Sequence, residues 1–339
     1  MKTILSGNPV GKGPKGADPS PAEDVVLSQQ EAERLRESDY TVAIVFHYLK
    51  TDYVRLQLDG LTTRFEELGI NVEGIYGSEF DASKQADILN RLAAKDVDAL
   101  VSIPIDQIAT AKAYRNVAAA GTKIVFIDNV PKGFEHPDDY AGTVSSDNQG
   151  LGIFAGRFLR DRVGSGTVGL ITFDAPFYVT SAREQGVRDI LEPAEDVTIV
   201  AEEGFTDPDD VYHIASDLLA AIPDLNGLFV SWGDPPGTQA ADAALDSGMD
   251  DLVITTTGLS TDTATNIAKE GPIKATGAQF PYQQGRIEAD MISNSLLANN
   301  TPPFIASGVL PIHRGNLLDL YPTYFQTDYP EKIASYFEQ

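Results

Sequence analysis

Residues 41–76 read TVAIVFHYLKTDYVRLQLDGLTTRFEELGINVEGIY. The first six, TVAIVF (41–46), form an unbroken apolar run rich in β-branched residues, as expected of a strand covered on both faces. Residues 51–68 read as a helix, and NVEGIY (71–76) as a second strand. A strand, a helix and a strand in this order make a βαβ unit, whose two strands lie parallel.

The same alternation runs outward through most of the chain. Further strands are predicted at DALVSI (98–103), TKIVFID (122–128) and YAGTVS (140–145). A second series follows: GTVGLITF (166–173), VTIVAEE (197–203), GLFVS (227–231), LVITTT (252–257) and IKATGAQ (273–279). Helices are predicted over 83–95, 107–120, 148–163, 178–191, 209–221, 236–247 and 281–298. Two such series in 339 residues predict an α/β protein with two doubly wound parallel-sheet lobes. The expected organisation is a flexible lead and a helix over 1–40, an N-terminal lobe of 41–146 plus 280–309, and a C-terminal lobe of 147–279 plus 310–339. Within the lead, the Gly/Pro/Lys-rich stretch to residue 22 is expected to be flexible, and 23–39 to form one amphipathic helix.

The chain carries 50 acidic and 25 basic residues, a net charge of −25 spread along its length. Such a surface repels nucleic acid and anionic membranes, so no nucleic-acid partner is expected. There is no cysteine, which removes disulfides, thiolate nucleophiles and thiolate metal sites together. No apolar run reaches the length of a membrane-spanning helix.

In doubly wound sheets, ligands sit outside the carboxyl ends of the strands. Those ends carry His47 and Tyr48, Ser102, Asp128 and Asn129, Asp174, Phe205, Ser231 and Trp232, Thr257, and Gln279. Hydrogen-bonding groups mixed with aromatic rings suit a sugar, whose hydroxyls need donors and acceptors while its C–H faces pack on rings.

These segments resemble the ribose-binding-protein group of periplasmic sugar-binding proteins, which has the type I periplasmic binding fold. The resemblance covers about residues 41–313. It rests on TVAIVFHYLKTDYVRLQLDG, DALVSIPID, KIVFIDN, VSSDNQGLG, VTSAREQGVRD and IKATGAQFPYQQG. It implies two lobes joined by a three-strand hinge near Ser145–Asp147, Gln279–Phe280 and Val309–Ile312. It implies ligand contacts from Asp128, Arg183, Phe205 and Gln279, with Tyr53 as a stacking ring and His47 in place of a small polar residue. Asp128-Asn129 stands for the family's Asp-Arg, and Thr257-Gly258 for its Phe-Asp. Gly233, flanked by Trp232 and Asp234, replaces an expected asparagine. These departures point away from ribose to another pentose, a hexose or an acyclic polyol. The expected ligand-binding set is therefore His47, Tyr48, Tyr53, Asp128, Asn129, Arg183, Phe205, Trp232, Asp234 and Gln279. By the same resemblance the protein is exported, acts as a monomer and hands its sugar or polyol to an ABC transporter permease.

Other chemistries find little support. Gly164, Gly166 and Gly169 match G-x-G-x-x-G, but a helix precedes them and a strand follows, the reverse of a dinucleotide site. His47, His136, His213 and His313 show no metal-ligand spacing, and G-x-S-x-G does not occur, so neither a metal, a cofactor nor a catalytic residue is expected. A sugar-sensing regulator of the lac repressor type needs a basic helix-turn-helix before residue 41, and residues 1–40 are too short and too acidic for one. A sugar-acting enzyme is the third reading, without a nucleophile to carry it.

Overall fold

The apolar run 41–46 is β1 (Thr41–Phe46), five of whose six residues are buried. Thr51 caps the next helix, α2 (Asp52–Leu68), by accepting from Val54 N, and Gly69 ends it in the left-handed conformation at φ 68°. Then β2 (Asn71–Gly77) returns parallel to β1. The computed structural model describes residues 9–175 and 177–338.

The N-lobe comprises described residues 11–146 and 280–307. It continues through α3 (Ala82–Ala93), β3 (Ala99–Ser102), α4 (Ala111–Ala119), β4 (Lys123–Ile127) and β5 (Gly142–Ser146). The chain re-enters it at α10 (Pro281–Leu296) and β11 (Phe304–Ser307). Its six-stranded sheet, in the order β2-β1-β3-β4-β5-β11, is parallel throughout. Phe126 is fully buried, with its ring centroid 5.2 Å from Tyr114, 5.6 Å from Phe134 and 5.2 Å from Tyr140. Each such side chain contributes about 1.5–3 kcal/mol by leaving water. On the other face α10 crosses α2 closely because Gly60 lies against the Tyr282 carbonyl and Gly285 against that of Gln57.

The C-lobe comprises described residues 147–175, 177–279 and 308–338, together with residues 9 and 10. Its elements are α5 (Asn148–Val163), β6 (Gly166–Phe173), α6 (Tyr178–Leu191), β7 (Val197–Phe205), α7 (Val211–Ala221), β8 (Gly227–Val230), α8 (Thr238–Asp246), β9 (Val253–Thr257), α9 (Thr261–Ala268) and β10 (Ile273–Ala278). After the second N-lobe segment come β12 (Leu310–His313), α11 (Leu317–Phe325) and α12 (Glu331–Ser335). The sheet order is β7-β6-β8-β9-β10-β12, parallel except for the antiparallel edge strand β12. Between them, the two orders show one topology built twice, with the strand order reversing beside β1 in one lobe and beside β6 in the other. The chain passes between lobes after Ser146, after Gln279 and after Ser307, the last slightly ahead of the expected Val309–Ile312. A further passage, absent from the sequence reading, follows Val10, whose N–H donates to Asp147 Oδ2 over 2.9 Å.

The N-terminal region differs from its expectation. Residues 1–8 lie outside the described residues. Beyond them the lead lies along the sheet edge: Ser20 N donates to the Phe304 carbonyl at 2.9 Å and bridges to Ile305, with Gly13 against the Phe304 ring. The single helix expected over 23–39 is two pieces, a 3-10 turn (Ala22–Val25) and α1 (Gln29–Arg36). The break is a capping box: Glu31 N donates to Ser28 Oγ, and Ser28 N donates back to Glu31 Oε2. Helix α9 was not anticipated at all.

Candidate functional site

At the carboxyl ends of the N-lobe strands, the chain leaves β1 at His47 and Tyr48. Both rings pack on Phe80, His47 edge-on at 5.0 Å and Tyr48 stacked at 5.7 Å. Phe80 belongs to the turn after β2, where Glu79 and Phe80 both adopt left-handed backbone, at φ 54° and 57°. Its N–H donates to the His47 carbonyl, and Asp81 then caps α3 through Ser83 N and Lys84 N. The turn thus holds an apolar ring that is 63% exposed against the two predicted ones. Burial pushes the His47 imidazole down to about 4, so the ring is neutral near pH 7.

Asp128 follows β4 in left-handed backbone at φ 60°. Its carboxylate is buried and accepts from Ser145 Oγ at 2.6 Å. Asn129 donates to the Pro104 carbonyl at 3.1 Å. Tyr53, half-buried on α2, donates to Gln284 Oε1 at 3.2 Å. Ser102 is an internal strut, bonded to the Val45 carbonyl and the Tyr114 hydroxyl.

The C-lobe assembles its own set. Arg183 on α6 is buried, its Nε donating to Asn148 Oδ1 at 2.9 Å and an Nη to Thr257 Oγ1 at 3.4 Å. Thr257 in turn donates to the Ser231 carbonyl. Gly258, next to Thr257, is so placed that a Cβ on it would lie 3.6 Å from Gln279 Oε1. Arg183 thus joins Asn148, at the start of α5, to Thr257, at the end of β9, and Gln279 lies beside Gly258, which follows Thr257. Phe173, Phe205 and Trp232 form a second group, each ring within 4.9–5.5 Å of the others. Phe205 is nearly sealed within that trio while Trp232 stays half-buried. Beneath it Glu184 accepts from Phe173 N at 2.9 Å and from Ser231 Oγ, and burial raises its carboxyl. Asp234 is exposed and accepts from Thr238 Oγ1 at 3.1 Å, in the turn leading into α8.

Three of the predicted residues hold buried polar atoms with no hydrogen-bond partner: His47 Nδ1, Asn129 Oδ1 and Gln279 Oε1. Each follows the carboxyl end of a strand. Buried polar atoms are nearly always paired, so orphaned atoms grouped at strand ends mark places where a polar partner fits.

A scan against family models matches residues 42–300 to the periplasmic binding protein domain, which is most of the chain. The chain belongs to that family. Among solved structures, a solute-binding protein of an ABC transporter from Agrobacterium vitis, bound with alpha-D-tagatopyranose, is 20% identical. It superposes with a TM-score of 0.77 over 86% of this chain and 100% of that one. A periplasmic solute-binding protein from Actinobacillus succinogenes with bound D-allose is 18% identical, with a TM-score of 0.75 over 83% of this chain and 100% of that one. A carbohydrate transporter solute-binding protein from Agrobacterium radiobacter, in complex with D-arabinose, is 19% identical, with a TM-score of 0.75 over 85% and 99%. No curated protein matches the sequence. The family assignment agrees with the two-lobed type I periplasmic binding fold expected from the sequence. Among the described residues no helix is long and apolar enough to cross a membrane.

Sequence reasoning missed Phe80, Asn148 and Ser145 as members of these groups. For Phe80 a signal existed, an aromatic residue directly after a strand end and before the helix cap Asp81. Asn148 and Ser145 gave none, because their role depends on contacts to Arg183 and Asp128 far along the chain.

Proposed function

We propose that this protein is a non-catalytic solute-binding protein that takes a sugar or sugar alcohol between its lobes and delivers it to an ABC transporter permease. The observation that carries this reading is the set of strand-end groups in each lobe. The strand ends of the N-lobe carry rings (Tyr48, with Phe80 packed on it) and buried polar groups (Asp128, Asn129), and those of the C-lobe carry the half-buried Trp232 and the buried Arg183 and Gln279. A buried carboxylate accepts hydrogen bonds from sugar hydroxyls, and charge-assisted bonds of that kind contribute about 1.5–3 kcal/mol each. The bound sugars of the superposed proteins are tagatose, allose and arabinose, which supports the same class here.

The reading includes export to the periplasm or its equivalent, action as a monomer and no nucleic-acid partner. The ligand-binding set proposed is His47, Tyr48, Tyr53, Asp128, Asn129, Arg183, Phe205, Trp232, Asp234 and Gln279, extended by Phe80.

The test is a thermal melt with D-tagatose, D-allose, D-arabinose, D-fucose and a set of acyclic polyols. Ligand at 100 times its dissociation constant adds about 2.7 kcal/mol of stability. At least one member should raise the melting temperature and be recovered unchanged. A flat response across the panel, or consumption of the sugar, overturns the reading.

A further inference from the structure

Glu288 is fully buried on α10, and among the described residues no cation acts on it. Its Oε1 accepts from Gln57 Nε2 at 2.5 Å, across from α2, and from Gln284 Nε2 at 3.2 Å, one turn back on α10. Gln57 and Gln284 are themselves fully buried. Two acceptor atoms in this group have no partner: Glu288 Oε2 and Gln57 Oε1. They belong to the same two side chains that already share the Nε2–Oε1 bond. An ionised carboxylate leaves Glu288 Oε2 and Gln57 Oε1 orphaned and a buried charge uncompensated, which is costly. One proton on Oε2, donated to Gln57 Oε1, satisfies both and closes a two-bond ring between acid and amide.

We infer that Glu288 is a permanently neutral acid, paired with Gln57 through that proton, and that it is a positioning residue for the chain of side chains above it. Gln284, fixed by Glu288, presents Oε1 to the Tyr53 hydroxyl at 3.2 Å and to Ser146 Oγ at 3.1 Å. Ser146 also receives Ser307 Oγ at 3.4 Å. The chain thus runs from a buried acid to a ring predicted to meet the ligand and to the end of β5, beside the Asp128–Ser145 pair.

The charged groups on the neighbouring elements agree. Asp128, past β4, acts on Glu288 with like sign and so favours its neutral form. The other ions between α2 and α10 pair among themselves, Arg64 with Asp290 at 2.7 Å and Arg286 with Glu67 at 2.8 Å. Burial is the main force holding the Glu288 proton, raising its carboxyl well above the usual range.

The positioning role rests on the sugar-binding reading, but the proton does not, and the experiment separates them. An acid that keeps its proton only when folded loses stability as pH rises above its unfolded value near 4.5. Glu288→Gln keeps both amide-type bonds and removes this loss. The melting temperature of Glu288→Gln minus that of the wild type should therefore widen from pH 5 to pH 8, by about 2 °C or more per pH unit. Glu288→Leu should melt lower than Glu288→Gln at every pH, because it strands the two glutamines. A constant gap between Glu288→Gln and wild type, or equal melting of Glu288→Leu and Glu288→Gln, overturns the paired proton. With a sugar identified by the panel, Glu288→Gln should keep affinity within about threefold and Glu288→Leu should lose about tenfold or more. Equal affinity in both variants overturns the positioning role. If no sugar binds the wild type, the function reading fails, and the pH series still decides the proton.

Discussion

Ser145 donates its hydroxyl to Asp128 Oδ1 over 2.6 Å, joining the ends of adjacent strands β5 and β4. The bond fixes the one buried carboxylate that the sequence marks for ligand binding. Asp128→Asn should preserve the fold, because the amide oxygen still accepts from Ser145. It should weaken sugar binding about tenfold to a hundredfold, the worth of one or two charge-assisted bonds. Titration calorimetry on the sugar found by the panel measures this. Unchanged affinity removes Asp128 from the site.

Arg183 is held by Asn148 and Thr257, so its guanidinium is already oriented before any ligand arrives. Lysine offers a point charge without that fork. Arg183→Lys should cost at least about tenfold in affinity with little change in melting temperature. The idea fails if the lysine variant binds as tightly as wild type.

Gly152 makes the close approach of α5 to α6: a Cβ there would fall 1.8 Å from the Arg183 carbonyl oxygen. Backbone cannot swing aside as a side-chain tip does. Gly152→Ala should destabilise the C-lobe by about 1–3 kcal/mol and weaken ligand binding through the displaced Arg183. Chemical denaturation with calorimetry checks both halves. Wild-type values in each would show that the helices part without cost.

His47 predicts an acid limb in the stability curve. Its folded value near 4 lies below the ordinary 6.5, so the neutral ring favours the folded state. That contribution is complete above pH 6.5 and is lost as pH falls from 6.5 towards 4. His47→Phe should flatten the melting temperature over this window relative to wild type. Parallel curves for the two proteins would speak against it.

The charge of −25 predicts a response to salt. Like charges on one surface repel, and the screening length falls from about 10 Å at 0.1 M to about 3 Å at 1 M salt. Raising potassium chloride over that range should raise the melting temperature. A fall would mean that ion pairs such as Arg64–Asp290 outweigh the general repulsion.

Much of the fold was legible because its central strands are buried on both faces. β1 and β6 run as the sequence predicts, at Thr41–Phe46 and Gly166–Phe173, and so do α5 and α6, at Asn148–Val163 and Tyr178–Leu191. Helix α9 escaped because TDTATNIA is rich in residues with weak helix preference. Its helical state depends on burial of Ala264 and Ile267, which is a tertiary fact, added to the local Ser260 cap. The helix expected over 23–39 failed the other way: its composition favours helix throughout, and only the Ser28–Glu31 box shows where a new one starts.

By itself the sequence determined the two βα series, the strand-end residues and the acidic surface, because these follow from periodicity, chain order and composition. The tertiary structure alone decided which side chains meet. Phe80 joins His47 and Tyr48 through a left-handed turn, Asn148 reaches Arg183 from another helix, and Gln57 meets Glu288 across a sequence separation of 231. Such pairings depend on the crossing of helices and the register of strands, which no local pattern encodes, and on burial, which turns a surface-type glutamate into a neutral acid.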